Sequence, residues 1–310
     1  MSGLSSFRNW SELEATLSAG SDTKIADEDA YKALWLAAVA PQQDLGLLAV
    51  QGGLLADRLA WVFVAGYQAA LRRTFPDQGF SGWAAFAVSE DRRGDPPLPG
   101  VDYHNVDAGF SISGHKTWVA AVNAVDHLVI KAGRGARARY FNLPRQTRGL
   151  ELSARAANFL GEMSQGSAHL VDVRVATDTA LNADAVPQFG QREALYIYLA
   201  FLAYAGRAWL QDAAQNDCLS LIQRLDQALA QQQLPLAEVK ELDVAVQSVL
   251  ATIAAAAAAD NERWEVDQRL ISMYSPGIQH VKSSPNPRTN MRRPRPEDSW
   301  VRTLLSRHRR

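Results

Sequence analysis

The chain of 310 residues is 47% hydrophobic and 21% charged, with a formal net charge of −1. That is the composition of an ordinary globular protein long enough to bury a sizeable core, and it excludes any argument from global charge to a polyanionic partner. The single cysteine, Cys218, excludes an internal disulfide and a cysteine-built metal site.

In chain order, the opening MSGLSSFRNWSELE lacks a basic stretch running into an apolar one, so no signal peptide is read and a cytoplasmic protein is expected. Residues 10–75 read as helical. Ser11 and Glu14 have capping-box spacing, and Pro41 and Pro76 bound two stretches of helix formers at 27–40 and 44–73. The apolar runs 59–71 and 194–206 fall well short of the roughly 20 residues needed to span a bilayer. Each abuts an arginine, so both are expected as core helices and no membrane partner is expected.

From about 82 to 175 the texture changes to short apolar or alternating runs such as WAAFAVSE, GFSISG, TWVAAV, HLVIKA, RYFNL and HLVDVRV, punctuated by Gly, Pro, Asn and Asp. Their lengths and turn residues predict strands. Helix formers return at Gln191 and continue to about Ser272, divided into two or three helices at QQQLP with Pro235. Helices, then strands, then helices is the segregated α+β order. The expected domains are a short helical part at 1–80, a β domain at 81–185, a helical domain at 186–280 and a basic Pro/Arg-rich tail at 281–310. The tail carries nine Lys or Arg against two acidic residues, leaving −8 on the rest of the chain. Such a tail is capable of salt-sensitive contact with nucleic acid. It holds one aromatic, Trp300, and no recognisable nucleic-acid module, so a solvated cationic terminus is the reading preferred.

No GxGxxG, Walker A, HExxH, GxSxG or CxxC is present, and the six histidines show no helical ligand spacing, so no metal site is expected. What remains is an ordered set of segments: FAVSEDRRGD at 86–95, GHKTWVA at 114–120 and GEMSQGSAHLVDVRV at 161–175. Singly, each is compatible with ordinary strand and loop, and Trp118 with a core aromatic. Together, with helical sequence on either side, they resemble the acyl-CoA dehydrogenase family. Phe86, Ala87, Val88, Ser89 and Glu90 match its first motif. Gly114, Lys116, Trp118 and Val119 match the second, and Gly161, Leu170, Asp172, Val173 and Val175 the third.

The resemblance implies a fold with a short α-helical N-terminal part, a central β barrel or sandwich and an α-helical C-terminal bundle. It also implies FAD as cofactor, an acyl-CoA-like substrate in fatty acid metabolism, and α,β-dehydrogenation with hydride passing to flavin N5. By position it assigns flavin donors to the Val88 amide and the Ser89 hydroxyl and the flavin wall to Trp118. It places Gly94 in the cofactor loop, where Arg92 and Arg93 are read either as substitute pyrophosphate contacts or, as the more ordinary reading, as a solvated pair. Ala120 stands where the family carries a flavin-bonding Thr, and Met163 where it carries an Arg. The catalytic carboxylate of a late family motif corresponds to Ser275, which cannot take a proton unaided. A second family placement, with Gly206 matched to the family's glycine in the first helix after the β domain, falls on Tyr196; Glu193 lies one turn upstream on the same face and is the candidate, with a helix-start glutamate on the surface as the alternative. AYAGRAWLQDA and the Ala-rich run 251–259 allow close helix approach, so a homo-oligomer is expected. A catalytically inactive binding or assembly protein of the same fold remains the alternative function.

Overall fold

The computed structural model describes residues 9–18, 24–257 and 264–280. The tail 281–310, and with it the nucleic-acid reading, lies outside the described residues, as do the side chains of the Ala-rich run from 255 onward. The chain divides into two compact units, one of residues 1–24, 46–67 and 190–310, the other of 25–45 and 68–189.

The second unit holds all the strands. Helix α1 (Leu13–Ser18) belongs to the first unit, and the second includes α2 (Glu28–Ala38), which opens on an N-cap at Asp27 whose side chain accepts from the Ala30 amide. The strands are β1 (Ala84–Ala87), β2 (Asp102–Val106), β3 (Gly109–Ala120), β4 (His127–Ala132), β5 (Arg139–Pro144), β6 (Leu150–Arg155) and β7 (Gln165–Ala176). They form two sheets, ordered β1-β4-β5 and β2-β3-β7-β6, with β1 parallel to β4 and every other pair antiparallel. Neither sheet closes on itself, so the β region is two open sheets and not a closed barrel. Residues 128–130 of β4 are all buried, as a central strand covered on both faces requires. Both sheets contribute to one core that includes Val101, Ile112, Val119, Leu128, Phe141 and Leu170.

The GFSISG run and the start of TWVAAV fall on one twelve-residue strand, β3, which ends at Ala120, while β2 and β6 emerge from DYHNV and LELSAR, of which only Tyr103, Leu150 and Leu152 pack on the core. At the N-terminus the cap is Asn9, whose side chain accepts from the Ser11 amide, instead of the Ser11–Glu14 box. The helix reading of 44–73 resolves into α3 (Leu45–Leu55) and α4 (Leu59–Thr74). Buried Gln68, at the second unit's end of α4, pairs its amide with both backbone groups of Ala84 at 2.9 Å and so positions β1.

The first unit is helical: α3 and the earlier part of α4, then α5 (Phe189–Ala208), α6 (Asp212–Ala230), α7 (Leu236–Ala257) and the short α8 (Trp264–Asp267), α9 (Arg269–Ser272) and α10 (Ser275–Gln279). Helix α5 is buried continuously from Arg192 to Gly206, which makes it the central helix of its unit. A Cβ added to Gly66 would lie 2.4 Å from the Cα of Ile197, so α4 crosses α5 at backbone contact and only glycine fits there. The AYAG segment is buried within its own unit, Gly206 facing Leu17 and Cys218. No helix among the described residues is long and apolar enough to cross a membrane.

Candidate functional site

The three motif segments are widely separated in sequence, and hydrogen bonds join them. The Thr117 amide donates to the Ser89 carbonyl at 2.9 Å, tying the second motif to the first. Beside it, Lys116 Nζ meets Glu90 Oε1 at 2.7 Å. Lys116 is fully buried, not turned to solvent, and burial lowers its ammonium to about 8 despite the opposing carboxylate. The third motif joins through Trp118, whose Nε1 donates to Gln165 Oε1 at 3.2 Å, while Gln165 Nε2 donates to the Phe159 carbonyl at 2.6 Å. The Val122 amide donates to the Ser164 carbonyl and the Asn123 amide to the Ser164 hydroxyl, which in turn donates to Glu28 Oε2 at 2.7 Å.

Trp118 sits where the β3–β7 register slips, between Lys116 and Val119, and is half-buried. A bulge of this kind re-aims a side chain, and the hydrogen bond to Gln165 then holds the indole by its edge. Ala120, opposite Gln165 in the ladder, is buried and offers no hydroxyl. Val88 is half-buried and Ser89 is a buried residue whose hydroxyl bonds to no described residue.

The loop following the first motif is organised from within. Asp91 Oδ1 accepts from the Arg93 and Gly94 amides at 3.0 Å each, and Oδ2 accepts from the Leu98 amide at 2.9 Å. These bonds hold its carboxyl at about 2. A Cβ on Gly94 would stand 2.4 Å from Asp91 Oδ2, so the glycine makes room for that carboxylate. Nearby, the third motif's loop lines an open cleft of about 600 Å³ whose walls include Asp27, Glu28, Asp29 and Glu162 against Arg155.

Tested against a flavin dinucleotide, these residues divide. An aromatic plane fixed by its edge, beside an uncommitted hydroxyl, fits the ring system. The 91–100 loop does not fit a diphosphate, because its convergent amides already serve an internal anion, and the adjoining cleft is acidic. Sequence reading missed Asp91 and Gln165. Asp91 stands at the family's proline, and Asp followed by Gly three residues on is a turn signature.

Glu193 lies in the other unit, on α5. It is 5% exposed, not a surface helix-start residue, and its carboxyl accepts no hydrogen bond from a described residue. Burial pushes it up to about 8. Glu193, Tyr198 and Tyr67 are each within electrostatic reach of Tyr274, whose hydroxyl is buried without a hydrogen-bond partner. Neighbouring Arg192 points its guanidinium at the carbonyls of Leu229, Gln231 and Gln232. Ser275 donates to Asp243 Oδ2 at 2.7 Å, and the same buried carboxylate accepts from Tyr198 and Gln279, so Ser275 belongs to an anchoring network. Cys218 is buried and its thiol is raised to about 12 by that burial, which makes it inert. No group of three or more His, Cys, Asp or Glu among the described residues could hold a metal ion.

No family model and no curated protein matches the sequence. Solved structures do match the fold. An FAD-dependent dehydrogenase aligns over 87% of this chain and 92% of its own at TM-score 0.62 and 14% identity. The prolyl acyl carrier protein oxidase AnaB aligns over 87% and 95% at TM-score 0.60 and 14% identity. Butyryl-CoA dehydrogenase from Megasphaera elsdenii aligns over 89% and 90% at TM-score 0.59 and 11% identity. With helical parts before and after the strands, the motif residues joined about Trp118 and these structural likenesses, the chain has the acyl-CoA dehydrogenase-like fold.

Proposed function

We propose that this protein is a flavin-dependent oxidoreductase that removes the α-proton and β-hydride of an acyl thioester. The observation that carries the reading is the convergence of three dispersed motif segments on Trp118, through Thr117–Ser89, Lys116–Glu90 and Trp118–Gln165. A bound flavin supplies the two-electron acceptor. Trp118 presents the wall against which a flat ring packs, and Ser89 Oγ and the Val88 amide are the donors assigned to its polar edge. Ala120 leaves room there without a donor, and Gly94 belongs to the loop beside it. Glu193, as carboxylate, takes the α-proton; its raised value means that most molecules hold it protonated at neutral pH, so the reaction accelerates as pH rises through about 8. The reading carries with it an acyl-CoA-like substrate, fatty acid metabolism in the cytoplasm and a homo-oligomeric assembly.

The test is an absorbance spectrum of the purified protein after incubation with flavins, followed by anaerobic addition of acyl-CoA thioesters. Bleaching of the flavin bands that is lost in Glu193→Gln is expected. A protein that takes up no flavin, or bleaching that persists in Glu193→Gln, overturns the reading or its base respectively.

A further inference from the structure

The disagreement between the 91–100 loop and a dinucleotide concerns donors and charge together. Backbone amides converging from Arg93, Gly94 and Leu98 make the kind of concavity that binds an oxyanion. Here a carboxylate of the chain itself lies in it, at hydrogen-bond distance from all three. Three cations around the loop face the chain's own carboxylates. Lys116 meets Glu90 at 2.7 Å and Arg134 meets Glu90 at 3.6 Å, while Arg155 is electrostatically coupled to Asp91. Gly94, whose missing Cβ would allow a phosphate to approach, is required by the approach of Asp91 Oδ2.

We infer that Asp91 is a built-in substitute for a phosphate anion, closing the 91–100 loop to the diphosphate of a dinucleotide, so that this chain selects a flavin by its ring. The second half of that inference rests on the flavin reading above; the first does not. With Asp91 in place an incoming diphosphate meets a like charge and no open amide. Removing the carboxylate exposes three donors next to the exposed side chains of Arg92 and Arg93.

The experiment compares the full chain with its Asp91→Ala and Asp91→Asn variants. Amide resonances of Arg93, Gly94 and Leu98 are followed during titration with inorganic pyrophosphate, and riboflavin and FAD affinities are measured by fluorescence. In the unsubstituted chain, pyrophosphate leaves the three resonances in place, and riboflavin and FAD bind about equally. In Asp91→Ala pyrophosphate shifts them, and FAD gains about tenfold or more over riboflavin, one charge-assisted hydrogen bond being enough for a decade. Asp91→Asn keeps a side-chain acceptor for the loop while removing its charge, and gives a smaller shift of the same sign. It carries the test if the alanine variant does not fold. Pyrophosphate shifts in the unsubstituted chain, a tenfold FAD preference there, or folded variants that respond to neither ligand overturn the inference. If no flavin binds any form while pyrophosphate shifts only the variants, the loop assignment stands and the flavin reading falls.

Discussion

Replacing Glu193 by glutamine tests the buried carboxyl independently of any activity. In the folded chain the group ionises at about 8, in the unfolded chain near its ordinary value of 4.5, and burial is the cause. Below pH 4.5 both states hold the proton and the residue adds no pH dependence. Between 4.5 and about 8 the folded state retains a proton that the unfolded chain has released, so stability falls as pH rises, by about 1.4 kcal/mol per pH unit. Across that interval the loss reaches about 5 kcal/mol, and above about 8 it is complete. Glutamine has nearly the same volume and no charge in either state, so its stability lacks this slope. Urea unfolding of both proteins at pH 5, 6.5 and 8, followed by circular dichroism, isolates the residue because other titrating groups cancel in the difference. Glu193→Gln is expected to match the parent at pH 5 and to exceed it by several kcal/mol at pH 8. A difference that stays constant with pH, or a variant less stable than the parent at pH 8, would show that the carboxylate is compensated in the folded state and refute the reasoning.

The Lys116–Glu90 pair makes a second prediction. Glu90→Gln leaves a fully buried ammonium without its counterion and is expected to cost about 3–5 kcal/mol at pH 7, with Lys116→Met in the same chain restoring most of the loss. A double-mutant cycle in urea reads the coupling, and a Glu90→Gln loss under 1 kcal/mol would mean the pair does not hold the motifs together. Because Lys116 is lowered to about 8 from 10.5, its own penalty is present below pH 8 and fades towards 10.5, so Lys116→Met gains least relative to the parent at high pH. At the α4–α5 crossing, Gly66→Ala forces two backbones apart and is expected to destabilise by about 3 kcal/mol or more, seen as a lowered thermal midpoint; an unchanged midpoint would show that the helices can separate freely.

The order of helices, strands and helices was legible along the chain because the backbone repeat of each element imprints itself on local residue order. HLVIKA and the long apolar run of α5 could be read that way, and so could the turn residues between strands. The DYHNV and LELSAR strands were not read, since each is short and mostly exposed, with Tyr103 on one and Leu150 and Leu152 on the other meeting the core once β3 and β7 pair with them. The motif segments carried the fold resemblance, and from it come the roles proposed for Trp118 and Ser89. What they did not carry was the state of the charges. Whether Lys116 faces water or a carboxylate, whether Glu193 is solvated or desolvated, and whether the loop amides await an anion or already hold Asp91 depend on groups brought close from elsewhere in the chain or turned inward by a loop. Periodicity is a property of neighbours in sequence. Desolvation and ion pairing are properties of neighbours in space, so only the tertiary structure decided them.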